Sequence, residues 1–278
     1  MFRATPKLLL VPAVALALAV GGCSSNGAAN AGAAPGAVAD SHLTKVLKSK
    51  TVKIAVSADS PGFGVMNSSG DREGFDIDVA NALGASLGAK VEFVTATNES
   101  RIPLLQTDKA DVVIATFTAS DARAQVVEMS DPYAASSTVF MVPAGSPITT
   151  YADLDGKSVA TSRGSVGEQI LKASFPNAKV TGFNTTADSI QALKSGKVDA
   201  LIENNAIVGG LVKKEPAAFQ VLKGDPIKPA LFSIGVKPGD QTWLNYLNNF
   251  IRNYNISGQN EASLQKWFGL SLPPFLAH

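Results

Sequence analysis

With 278 residues, 45% of them hydrophobic and 17% charged, the chain suits one large or two ordinary domains and can bury a core. Its 24 basic against 23 acidic side chains give a formal charge of +1, which offers no electrostatic footprint for nucleic acid. A single cysteine excludes an intramolecular disulfide, and two histidines, His42 and His278, leave metal clusters and Ser-His-Asp chemistry without their usual parts. No catalytic residue, metal site or cofactor is expected.

In chain order, residues 1–22 carry Arg3 and Lys7, then thirteen residues from Leu8 to Val20, apolar but for Pro12, then Gly21 and Gly22. A basic start, a short apolar run and small residues at its end describe a secretory signal peptide. A spanning helix needs about 20 apolar residues, so this run is too short to cross a bilayer. The only cysteine, Cys23, comes next. The stretch Val20-Gly21-Gly22-Cys23 resembles the lipobox of bacterial lipoproteins. That resemblance implies cleavage before Cys23 and a lipid on its sulfur, with two or three chains anchoring where one binds marginally. The alternative is an ordinary secretion signal with an incidental buried cysteine. Residues 24–42 are rich in Ala, Gly, Ser and Asn, so residues 23–44 are expected to be a flexible linker.

The folded part is expected from about Lys45. Val52–Val56 reads as a buried strand. Residues 74–87 read as a helix, with Phe75, Val79, Leu83 and Leu87 spaced by four on one face. Further strands are expected at Val91–Val94, Asp111–Ala115, Ser158–Ala160, Val180–Phe183 and Ala200–Ile202. Helices are expected at Ile102–Leu105, from Val166, across Ala187–Leu193, at Trp243–Arg252 and around Ala262–Trp267. Strands alternating with helices predict an α/β fold with mostly parallel sheets. Asp76 and Asp78 fall in a helix first turn, where negative charge complements the macrodipole, and read as structural.

Two places carry chemistry. Thr116, Phe117 and Thr118 follow the strand DVVIA, and open α/β sheets bind ligands at the carboxyl ends of strands. Arg123 is close enough in sequence to close on a carboxylate as a bidentate partner, or to pair with Asp121 or Glu128 on a surface. Ser165 and Glu168 form a capping box, so Ser165 starts a helix whose free N–H groups can also hold an anion.

Longer strings make a family recognisable. VKIAVSADSPGFG, GFDIDVANALGASLG, SRIPLLQTDKADVVIATFTASDAR, MSDPY, DLDGKSVATSRGS, ALKSGKVDAL, FSIGVKPGD and KWFG run in order from about residue 50 to 270. Their order is similar to the extracellular solute-binding proteins of family 3, the amino-acid receptors of ABC importers. The resemblance implies a type II periplasmic-binding-protein fold of two lobes joined by two hinge strands. Lobe one would be residues 51–136 plus 233–278 and lobe two residues 137–232, with crossings near Tyr133–Ser137 and Ala230–Ser233. It further implies that Arg123, Thr118 and Ser165 hold a ligand α-carboxylate, and that Thr116 accepts from the α-amino group. Phe63 and Phe117 would wall the pocket. Arg101 would read a side-chain carboxylate, as in receptors for acidic amino acids, or serve as a structural cap packed through its stem.

One position departs from the family pattern. Asn204 stands where an aspartate pairs with the ligand ammonium, and an amide brings no counter-charge. Asp59 and Glu203 are the nearest acids to replace it, although strand alternation turns Glu203 away from Asn204. The implied function is a lipid-anchored, monomeric extracytoplasmic receptor that takes a polar amino acid, favouring glutamate, aspartate or their amides, to ABC permease subunits. The alternatives are a dehydratase on the same fold acting on a prephenate- or arogenate-like carboxylate, a receptor for a non-amino dicarboxylate, and a sensor module.

Overall fold

Residues 41–276 are described by the computed structural model. The expected signal peptide, Cys23 and the linker as far as residue 40 lie outside the described residues. Helix α1 (His42–Ser49) comes first, capped by the Ser41 hydroxyl, which accepts from the Leu43 N–H. The linker expected to reach residue 44 therefore ends earlier. Leu43 and Val46 give this turn an apolar stripe that packs on the core, which the preceding Ala/Gly/Ser stretch lacks.

Strand β1 (Thr51–Val56) follows, then a small antiparallel ladder of β2 (Asp59–Ser60), β3 (Gly64–Met66) and β4 (Arg72–Glu73). Helix α2 (Phe75–Leu87) buries Phe75, Val79, Leu83 and Leu87 as the spacing predicts. Its cap is Gly74, at φ 136°, and a Cβ there would lie 2.2 Å from the Phe63 carbonyl oxygen, so only glycine fits. Next come β5 (Lys90–Thr95), α3 (Arg101–Gln106), β6 (Val112–Val113), α4 (Asp121–Ala124) and the long strand β7 (Glu128–Pro143). Beyond it lie β8 (Ser158–Ser162), α5 (Val166–Ser174), β9 (Lys179–Phe183), α6 (Thr186–Lys194), β10 (Ala200–Asn204) and α7 (Asn205–Lys214). The chain ends with β11 (Phe219–Val221), β12 (Ile227–Val236), α8 (Gln241–Ile256) and α9 (Gln259–Phe268).

The main sheet has the order β5-β1-β6-β12-β7-β10-β8-β9, with β11 also on β7. Its two flanks are parallel, β5-β1-β6 and β10-β8-β9, and the antiparallel pair β12 and β7 joins them. Parallel flanks are buried on both faces, and Val52, Ile54, Ala55 and Val56 are fully inaccessible. The sheet is thus mixed rather than mostly parallel. Both long strands run the length of the junction, with Ala230 opposite Ser136 and Ser233 opposite Pro132. Of the expected strand Asp111–Ala115 only Val112–Val113 pairs regularly, because the chain turns at Thr116 into a left-handed conformation, φ 45°.

Candidate functional site

A cleft with about 680 Å³ of atom-free space, open mouth included, lies beside the two long strands. Before the first long strand the chain contributes Ser57, Asp59, Thr97, Asn98, Arg101, Thr116, Thr118 and Arg123 to its lining. After that strand it contributes Ser165, Thr185, Thr186, Glu203 and Asn204, and Thr138 lies on β7 itself. Four lining residues carry charge, Arg101 and Arg123 against Asp59 and Glu203.

Arg123 sits in the short helix α4, whose Ser120 hydroxyl accepts from the Arg123 N–H at the helix start. Its Nη1 donates to the Thr118 carbonyl at 2.7 Å and its Nη2 to the Gly164 carbonyl at 3.0 Å. A guanidinium has five N–H donors, so donors remain for an anion. Arg101 is more fully engaged. Its Nε donates to Asn98 O, its Nη1 to Ala115 O and Thr116 O, and its Nη2 to Gly164 O, at 2.9–3.3 Å. Both guanidiniums lie 4.9 Å from the centroid of the Phe117 ring, a cation–π platform. Burial lowers the Arg123 pKa to about 10 and the Arg101 pKa well below its ordinary value, with Arg123 adding to the latter.

Ser165 caps α5: its hydroxyl accepts from the Glu168 N–H and shares a hydrogen bond with the Thr161 hydroxyl. The Glu168 carboxylate reaches back to the Gly164 N–H at 2.8 Å. Gly164 has φ 71°, and a Cβ there would meet the Asn98 backbone at 3.1 Å, so two backbones approach closely at the cleft. Asp59 also acts across the cleft. Its carboxylate accepts from the Ser57 hydroxyl at 2.8 Å and from the N–H groups of Thr186 and Ala187 at 2.7 and 3.4 Å. It therefore lies at the positive N-terminus of α6.

Six of the eight expected ligand residues, Arg101, Thr116, Thr118, Arg123, Ser165 and Asn204, line this one cleft. Phe63 does not. The turn that bonds the Phe63 N–H to the Ser60 carbonyl aims its ring inward, where it packs on Phe75, Phe232 and Phe268. Phe117 is fully buried behind the two arginines and supports them instead of walling the cleft.

Glu203 overturns the alternation expected of its strand, since Glu203 and Asn204 both line the cleft. Asn204 ends β10 and at once caps α7, its side-chain oxygen accepting from the Ile207 N–H. The chain bends there, and a period of two does not carry through a cap. The Glu203 Oε1 accepts from the Asn204 N–H at 2.8 Å and from its Nδ2 at 3.2 Å. Burial raises the Glu203 pKa to about 7, against the lowering pull of those hydrogen bonds and of Arg101. The adjacent acid that alternation discounts is the one the fold turns inward.

A family model for the bacterial extracellular solute-binding proteins, family 3, matches residues 52–270. The chain is 31% identical over 265 residues to the ABC transporter glutamine-binding protein GlnH of Bacillus subtilis, covering 94% of each. An ancestral arginine-binding protein solved with glutamine bound matches with a TM-score of 0.75 and 34% identity, over 80% of this chain and 99% of that one. An ancestral amino acid-binding protein described as a precursor of cyclohexadienyl dehydratase matches with a TM-score of 0.76 and 31% identity, over 81% and 99%. The chain belongs to the bacterial extracellular solute-binding proteins, family 3. It is an extracytoplasmic substrate-binding protein of the amino-acid ABC transporter type, with the two-lobed α/β fold.

Proposed function

We propose that the cleft captures a polar amino acid of no net charge, glutamine foremost, and delivers it to ABC permease subunits. The observation that carries this reading is the balance of charge in the lining, two arginines against Asp59 and Glu203. A zwitterion with a neutral side chain keeps that balance, whereas glutamate adds a buried negative charge without a partner, which is costly. The ligand carboxylate meets the free donors of Arg123, with Thr118 and the N-terminus of α5 beside it. Its ammonium meets Glu203, which supplies the counter-charge that Asn204 lacks. Arg101, its N–H groups largely spent on carbonyls, shapes the floor and does not read a side-chain carboxylate.

Lobe one in this reading comprises residues 51–136 plus 233–278 and lobe two residues 137–232. The pairing of Ala230 with Ser136 and Ser233 with Pro132 supports crossings at those places. The protein works as a monomer held to the membrane by a lipid on Cys23. A second reading, a dehydratase on the same fold, is favoured by the raised pKa of Glu203 in the cleft and by the match to a dehydratase precursor. Against it, both hydrogen bonds at Oε1 hold that oxygen as an acceptor.

A thermal-shift screen against the twenty amino acids and simple dicarboxylates tests the proposal, because saturating ligand raises the melting temperature. Glutamine is expected to give the largest shift. A shift with dicarboxylates alone overturns the amino-acid assignment, and turnover of prephenate or arogenate establishes the enzyme.

A further inference from the structure

Asp76, in the first turn of α2, is a buried acid that lies outside the cleft's lining. Its side chain is fully buried. One oxygen accepts from the Thr116 N–H at 2.8 Å and the other from the Tyr133 hydroxyl at 2.8 Å. Thr116 lines the cleft, and its φ of 45° is a left-handed conformation that a β-branched residue rarely adopts. Such a conformation persists only where its surroundings over-determine it. From this the carbonyls of Ala115 and Thr116 both face the Nη1 of Arg101, whose Nη2 reaches Gly164 on the far side of the cleft. Tyr133 lies on β7, and its carbonyl accepts from the Asn260 Nδ2 at 2.7 Å.

We propose that Asp76 is a positioning residue for the ligand site, a buried clamp that holds Thr116 in its left-handed conformation and ties it to the long strand β7 at Tyr133. A macrodipole partner needs no such geometry. The carboxyl group offers an acceptor oxygen to each of two donors from different elements, and an alanine in its place offers neither. Burial raises the Asp76 pKa to about 7, while Tyr133, Thr116 and Arg101, the groups that face it, pull it down. The clamp acts on affinity through Thr116, so removing the strained residue removes the need for it.

The test is a double-mutant cycle of Asp76→Ala and Thr116→Gly, read by calorimetric titration with L-glutamine and by melting temperature. It rests on the glutamine reading for its probe alone. Asp76→Ala, which removes both hydrogen bonds, is expected to weaken glutamine by about tenfold. In the Thr116→Gly background, where glycine adopts φ 45° freely, the same change is expected to cost less than about twofold. Losses that simply add, or an unchanged Kd in Asp76→Ala, overturn the proposal. Hydrogen exchange at the Thr116 amide in the ligand-free wild type gives a second readout that requires no ligand and no variant. Protection is expected, and exchange at the rate of an open amide overturns the clamp. A wild type that gives no heat with glutamine removes the ligand assignment, and the exchange measurement still judges Asp76.

Discussion

Arg101 and Arg123 share the Phe117 ring at equal distance, but their remaining hydrogen-bonding capacity separates them. Arg123 keeps free donors at the cleft, so Arg123→Ala is expected to cost about 2 kcal/mol or more in glutamine binding, roughly thirtyfold in Kd. Arg101 is spent on backbone carbonyls, so Arg101→Ala is expected to weaken glutamine and glutamate by the same factor and to lower the melting temperature as well. A selective loss of glutamate binding returns Arg101 to the role of a side-chain reader. Glu203 makes binding depend on pH. Its pKa of about 7 is raised by burial, and only the ionised form offers a counter-charge to an ammonium. Affinity is therefore expected to be full above pH 7 and to fall as the pH drops through about 7, and Glu203→Gln is expected to flatten that profile. Calorimetry at pH 6 and 8 reads both. Thr116 and Thr118 were legible in the sequence because hydroxyls after a buried strand fall at the ligand side of an α/β sheet, whereas Arg123, which spacing alone left between the cleft and a surface ion pair, was assigned by the family resemblance. Phe63 was not, since a ring beside a turn faces inward or outward according to the turn's backbone, which composition does not encode.

Elements with a continuous apolar run or a clear period of four stood out in the sequence, among them β1, α2 and α8. The strands that join the two flanks were harder to read. In β7, Met129-Ser130-Asp131-Pro132-Tyr133 mixes polar and apolar residues without alternation, and burial does not follow polarity there, since Ser130 is buried and Met129 only half-buried. Asn204 shows how one residue can end a strand and start a helix. Its side chain caps α7, so Asn204→Ala is expected to lose about 1 kcal/mol of stability. Asn204→Asp keeps the cap and places negative charge at a helix N-terminus, but it sets a second carboxylate against the Glu203 Oε1 to which the Asn204 Nδ2 donates at 3.2 Å. A like charge there raises the Glu203 pKa further, so glutamine binding in that variant is expected to fall off at a higher pH than in the wild type. A pH profile that does not move contradicts the ammonium site assigned beside Glu203.

Across the whole molecule, hydrogen bonds join the two sides of the cleft. The Gly164 carbonyl accepts from both arginines, and Asp59 meets the N-terminus of α6. These contacts are dispersed in sequence, which is why no single motif announced them. Buried acids also set the response to pH. Asp76 and Glu203 have folded-state pKa values raised to about 7, so the fold binds protons that the unfolded chain releases. Their stabilising effect is complete below the ordinary carboxylate range and is lost as the pH rises through about 7. Asp108, Asp153, Glu168, Asp199 and Asp240 have lowered values and act in the opposite sense at acid pH. The ligand-free melting temperature is therefore expected to be highest near pH 5 and to decline toward pH 8, as a series of thermal scans would record.

A cleft of balanced charge is expected to select a neutral amino acid. Parallel calorimetric titrations of the wild-type protein with glutamine and glutamate at pH 7.5 test it most directly. Glutamine is expected to bind at least about tenfold more tightly, the factor that follows from burying one unpaired charge at a partial cost. Equal or tighter binding of glutamate contradicts it.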